Sequence, residues 1–155
     1  MRASPRLDPG GAALINEGKK VAILVGQGAL NARDEVTQLA MKLNAPVAKA
    51  LLGKGVLADD SPYTTGGIGH LGTEPSEFIM HACDTLLILG STMPWVNSYP
   101  KPGQARAIQI DLKPDHLGIR YPVEVPLVSD VKATVAALLP LLHRKDAGAV
   151  LGIHG

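Results

Sequence analysis

Aromatic side chains make up only 3% of this 155-residue chain, and cysteine occurs once, as Cys83. A core so poor in rings must be assembled from Val, Ile, Leu and Ala. Parallel sheets covered on both faces by helices use that palette. A single cysteine excludes an internal disulfide framework and fits a reducing compartment. Neither sign of charge is in surplus: fifteen basic residues face fourteen acidic ones, for a formal net charge of +1. The balance leaves no electrostatic footprint for nucleic acid or an anionic membrane. The longest apolar runs, such as "TLLILG" and "TVAALLPLL", are too short to span a bilayer, and no charged-then-apolar leader opens the sequence. Together these absences predict a soluble cytoplasmic domain with no membrane-spanning segment and no nucleic-acid partner.

Hydrophobic residues account for 46% of the chain, enough for one compact domain with its own core. "MRASPRLDPGG" reads as a polar, mobile lead-in, with the domain itself placed at 9–143, after residues 1–8. The end of the chain, 144–155, with "DAGAVLGIHG", reads as a tail or linker. "AALINEGKK" predicts a short helix closed by Gly18. "KVAILVG" and "DTLLILGS" are buried-strand signatures, and "APVAKALL", "ARAIQIDL" and "VEVPLV" are further strands. Asn31 is a good N-cap for a helix carrying Asp34 and Glu35 in its first turn. Val36, Leu39, Ala40 and Leu43 form its apolar stripe. From Gly53 to Gly72 the sequence predicts a long irregular, glycine-rich segment of a length that is more often functional than not. "TEPSEFIMHA" predicts a helix capped by Thr73. "SDVKATVAALLPLLHRK" predicts an amphipathic helix kinked at Pro140. Strands alternating with helices make the fold class α/β, an open, mostly parallel sheet in a single domain.

In such sheets ligands bind at the carboxyl ends of the strands. Three loops leave those ends with notable residues: Gly26-Gln27-Gly28, "GSTMPW" from Gly90 to Trp95, and "DLKPDHLG" beginning at Asp111. The glycine-rich Gly66 to Gly72 segment is positioned to close over the same edge. Glycines let backbone approach a pyrophosphate, and a helix N-terminus offers unpaired N–H donors. The G-x-G-x-x-G fingerprint is nevertheless broken at Asn31, and no acidic residue follows about 20 positions on. A nicotinamide site of the first-loop type is therefore disfavoured, and Asp111 is the better ribose candidate. Gly26 and Gly28 read equally well as a tight strand-to-helix turn.

Other chemistry has little footing. His70 is a ligand candidate or a solvated loop residue, while His81 and His143 read as surface residues. No Cys/His spacing suits zinc, Cys83 reads as a small buried residue, and no nucleophile–base motif is present. Trp95 suits packing or stacking on a flat ligand.

The ordered segments "KKVAILVGQGAL", "LAMKLNAPVAKALLGKGVLADDSPYTTGGIGHLGT", "ACDTLLILGSTMPW", "ARAIQIDLKPDHLG" and "VEVPLVSDVKATVAALLPLL" resemble the central domain of thiamine-diphosphate-dependent enzymes. The likeness spans roughly Pro9 to Leu142. Pyruvate oxidase and quinone-dependent pyruvate dehydrogenase are the nearest branch, with acetolactate synthase next. It implies a six-stranded parallel Rossmann-like sheet set between N- and C-terminal catalytic domains, in an enzyme that is usually a tetramer. In flavin-using members this domain cradles the ADP half of FAD. Carried over, the cofactor-binding positions are Gly26, Gln27 and Gly28; Ile68, Gly69, His70 and Leu71; Gly90, Ser91, Thr92, Met93, Pro94 and Trp95; and Asp111 beside the adenosine ribose. Other members hold ADP there, or nothing, which leaves a purely structural spacer as the alternative. Thiamine diphosphate and Mg²⁺ belong to the flanking domains, through a glutamate and a G-D-G…N segment. No "GDG" occurs in this chain. The resemblance thus implies a domain of a pyruvate-using enzyme that carries no catalytic residues and is inactive alone.

Overall fold

The structure, a computed structural model, describes residues 9–50, 53, 55–57, 63–67, 74–93 and 96–145. Six strands form one sheet: β1 (Val21–Val25), β2 (Val47–Lys49), β3 (Thr64–Gly67), β4 (Thr85–Leu89), β5 (Arg106–Asp111) and β6 (Val125–Val128). Their order is β3-β2-β1-β4-β5-β6, and every neighbouring pair is parallel. The expected α/β sheet is therefore present, with the six strands that the resemblance implies.

Alternation along β1 shows how the sheet is covered. Val21, Ile23 and Val25 enter one core, while Ala22 and Leu24 enter the other, because successive strand side chains point to opposite faces. Helices α1 (Pro9–Glu17), α2 (Arg33–Leu43) and α4 (Val131–Leu138) cover the first face through Leu14, Ile15, Val36, Leu39, Leu43, Val135 and Leu138. Helix α3 (Glu74–Ala82) covers the second through Ile79 and Met80, joined by Met93, Tyr99 and Tyr121. The two tyrosine rings stack there with centroids 6.0 Å apart. Among the described residues no helix is long and apolar enough to cross a membrane.

Local expectations differ in five places. Helix α1 begins at Pro9 and so includes Gly10 and Gly11, read above as lead-in; proline at a helix start loses no donor that the helix would use. The N-cap of α2 is Ala32, without a side-chain bond, and Asn31 is exposed. A short 3₁₀ turn, Gln27–Ala29, follows β1, and the helix starts only at Arg33, beyond Asn31. The Gly53–Gly72 segment contains strand β3, whose sequence TTGG lacks any apolar signal. Among the described residues it sits at the sheet edge, paired with β2. Pro140 does not kink α4; the helix stops at Leu138, and Leu139–Leu141 form a 3₁₀ turn. Packing continues to Lys145, whose ammonium donates to the Asn16 and Gly18 carbonyls at 3.2 and 2.6 Å, so these two residues past 143 are held against the body. Residues 1–8, Thr73 and 146–155 lie outside the described residues.

Candidate functional site

Strand order decides what comes together. The chain runs from β1 outward through β2 and β3, then returns to place β4 on the other side of β1. The connection after β1 packs Ala29, Ala32 and Val36 into the first core, whereas the connection after β4 packs Met93 and Tyr99 into the second. Adjacent parallel strands whose connections leave in opposite directions open a crevice at their carboxyl ends. Its edges are the loops at Gly26–Gly28 and Gly90–Met93, and β5 brings Asp111 beside them.

The crevice floor is backbone against backbone. Gly26 donates to the Leu89 carbonyl and Gly28 to the Gly90 carbonyl, both at 3.0 Å. A Cβ on Gly28 would lie 2.8 Å from the Gly90 Cα, and one on Gly26 would lie 2.6 Å from the Gly90 oxygen. On its other side Gly26 meets Gly53, where an added Cβ would be 2.7 Å from the Gly26 Cα. The glycines are thus required by the close approach of three chain segments. Gly90 also takes φ +64°, a left-handed conformation that other residues resist.

Around this floor, donors and acceptors remain. Among the described residues the backbone N–H groups of Gln27, Ser91 and Thr92 meet no acceptor. The Ser91 hydroxyl accepts from the Met93 N–H at 3.2 Å, and the Met93 carbonyl accepts from the Tyr99 hydroxyl at 2.9 Å. Asp111 is 8% exposed. Its Oδ1 accepts from the Lys113 N–H at 3.0 Å and lies 3.2 Å from the His116 Nδ1. Oδ2 has no hydrogen bond among the described residues. One carboxylate oxygen therefore fixes the turn after β5, and the other is left to accept.

Two residues that the sequence did not single out hold the loops in place. Gln109, buried in β5, donates from Nε2 to the carbonyls of Ser91 (3.5 Å) and His116 (3.1 Å), and its Oε1 accepts from the Gly118 N–H at 2.8 Å. Its signal was a glutamine between two buried isoleucines, Ile108 and Ile110. Arg120 donates from Nε to the Thr92 carbonyl at 3.1 Å; nothing in its sequence neighbourhood announced this.

Of the sequence candidates, Gly26, Gln27, Gly28, Gly90, Ser91, Thr92, Met93 and Asp111 share this edge. Ile68, Gly69, His70, Leu71, Pro94 and Trp95 lie outside the described residues. His81 is on the exposed face of α3, 3.8 Å from Glu77. Cys83 is buried, and burial, then the Asp84 charge, push its thiol up to about 12, which keeps it protonated and inert as a nucleophile. No group of three His, Cys, Asp or Glu among the described residues is placed to hold a metal. A separate hollow of about 340 Å³ lies between α2 and the Leu139–Leu141 turn, lined by Gln38, Met41, Lys42, Leu139, Pro140 and Arg144. None of the candidates borders it.

Comparison with known proteins matches this architecture. The family model described as "Thiamine pyrophosphate enzyme, central domain" matches residues 11–138. The chain is 30% identical over 136 residues to the acetolactate synthase isozyme 1 large subunit of Escherichia coli, covering 85% of this chain and 24% of that protein. It is 27% identical over 126 residues to the pyruvate oxidase of Lactiplantibacillus plantarum, covering 81% and 21%. Among solved structures, benzoylformate decarboxylase from Polynucleobacter necessarius superposes with a TM-score of 0.71 at 22% identity, over 94% of this chain and 29% of that one. The chain spans only 21 to 35% of the length of such curated relatives. With the family model matching most of its length, this chain belongs to the thiamine pyrophosphate enzyme family and corresponds to its central domain.

Proposed function

We propose that this chain is the nucleotide-binding central domain, residues 9–143, of a longer cytoplasmic thiamine-diphosphate enzyme acting on pyruvate or a similar 2-oxo acid. It binds FAD or ADP at the β1–β4 crevice and performs no chemistry without flanking catalytic domains. The observation that carries this reading is the open Oδ2 of Asp111 beside a glycine floor and the unpaired N–H groups of Gln27, Ser91 and Thr92. A carboxylate there accepts hydrogen bonds from ribose hydroxyls, and backbone N–H groups receive phosphate oxygens. Flavin, where held, supplies electron transfer; this chain's residues would hold its adenosine half. In this reading thiamine diphosphate and Mg²⁺ belong to the flanking domains of the longer enzyme.

One observation favours the alternative of a spacer domain without ligand. The close approach of Gly26, Gly28, Gly53 and Gly90 explains those glycines without any nucleotide.

Thermal-shift titrations of the chain with FAD, ADP and NAD separate the two. At a hundredfold excess over Kd a ligand that binds only the native state stabilises it by about 2.7 kcal/mol, which raises Tm by about 5–10 °C in a domain of this size. A rise with FAD and ADP but not NAD is expected. No rise with any of the three would leave the domain a spacer.

A further inference from the structure

Arg120 is the residue at the crevice whose chemistry is least spent. Arg106 is saturated by Glu124 and Glu17, at 2.6 to 2.9 Å. Arg33 is spent on the Gly55 and Val56 carbonyls. Arg120 makes one bond, from Nε to the Thr92 carbonyl. Its two terminal amino groups have no acceptor, and no carboxylate pairs with it, among the described residues. The side chain is half-buried. A guanidinium carries five N–H donors in a fixed planar fork, and taking such a cation partly out of water without a counter-ion is unfavourable.

The surroundings aim it at the crevice. Thr92 is part of the loop after β4, and its own N–H is unpaired. Gln109 holds Ser91 with one end and Gly118, two residues before Arg120, with the other. Gly118 takes φ +75°, a left-handed conformation that glycine adopts without strain. The Arg120 charge is also felt at the Tyr99 hydroxyl, where it opposes the upward push of burial.

We propose that Arg120 is a further ligand-binding residue of this crevice, its terminal amino groups gripping a phosphate of the nucleotide whose ribose Asp111 holds. This rests on the nucleotide-binding reading above. An arginine fork matches phosphate oxygens bidentately, and Nε anchored to Thr92 fixes the fork before the ligand arrives.

Calorimetric titration of this chain with ADP and with adenosine tests it, using wild type, Arg120→Gln and Arg120→Lys, with Tm as a control for folding. Arg120→Gln is expected to weaken ADP about tenfold or more and leave adenosine unchanged. Arg120→Lys, a charge without the fork, is expected to fall between. Unchanged ADP affinity in Arg120→Gln, or an equal loss for ADP and adenosine, would overturn the phosphate role and leave Arg120 as a support for the Thr92 loop. If wild type binds ADP, only the Arg120 assignment is then lost. If wild type binds neither ligand, the nucleotide reading falls and this one with it.

Discussion

Alanine in place of Gly90 is expected to lower Tm by about 10 °C. Two independent costs meet at this position. The residue sits at φ +64°, where a side chain costs about 1–2 kcal/mol. Its Cβ would also lie 2.5 Å from the Gly28 Cα, 2.6 Å from the Gly28 carbonyl carbon and 2.9 Å from the Ala29 nitrogen. These are backbone atoms, so no rotamer change relieves the clash, and overpacking of this kind costs about 1–3 kcal/mol. Gly103 supplies the control, with φ +84° and nothing within 4 Å of an added Cβ. Gly103→Ala carries the strain alone, about 1 kcal/mol, for a fall of about 3 °C. Melting curves by circular dichroism read both. If Gly90→Ala melts like Gly103→Ala, the β1 turn and the end of β4 are not packed as described, and the crevice floor goes with them.

Asn in place of Asp111 is expected to weaken ADP and FAD binding about tenfold to a hundredfold, the usual worth of hydrogen bonds to a charged group. The change is chosen because it spares the fold. An amide oxygen can still accept the Lys113 N–H that Oδ1 accepts at 3.0 Å, so the turn after β5 survives while the charge offered to ribose hydroxyls is lost. Calorimetry gives the affinity, and the ligand-free Tm reports whether the turn was kept. Equal ADP affinity in Asp111→Asn and wild type would show that the carboxylate serves only its own turn.

Much of the sheet was legible in the sequence because its central strands are buried on both faces. β1 and β4 each read as an apolar run, and all their residues are buried. β3 was not legible, since TTGG carries neither hydrophobicity nor β-branched alternation beyond its two threonines. Its pairing comes from the neighbour, through bonds such as the Val47 N–H to the Tyr63 carbonyl at 2.7 Å. Capping at Asn31 failed because a 3₁₀ turn lay between strand and helix, a local choice that propensity does not foresee. Pro140 ended a helix rather than bending it, since Leu139–Leu141 could tighten into a 3₁₀ turn and still bury Leu142.

The site divides in the same way. Gly26, Gly28, Gly90 and Asp111 announce themselves by type and by standing at strand ends. The roles of Gln109 and Arg120 are not announced this way, because they join the loops after β4 and β5, which become neighbours only when β5 pairs with β4. The glycines had a further meaning hidden from the sequence: they touch one another. A turn and a nucleotide cradle are compatible readings of "VGQG", because the same absence of side chains permits both.

Where ADP lands on the chain tests the central claim most directly, and amide proton–nitrogen correlation spectra recorded through an ADP titration read it residue by residue. The account predicts saturable shifts that include Gln27, Gly28, Gly90 to Met93 and Lys113, the amides at the carboxyl ends of β1, β4 and β5. Shifts centred instead on Met41, Lys42 and Leu139, at the hollow beside α2, or no shifts at millimolar ADP, would contradict it.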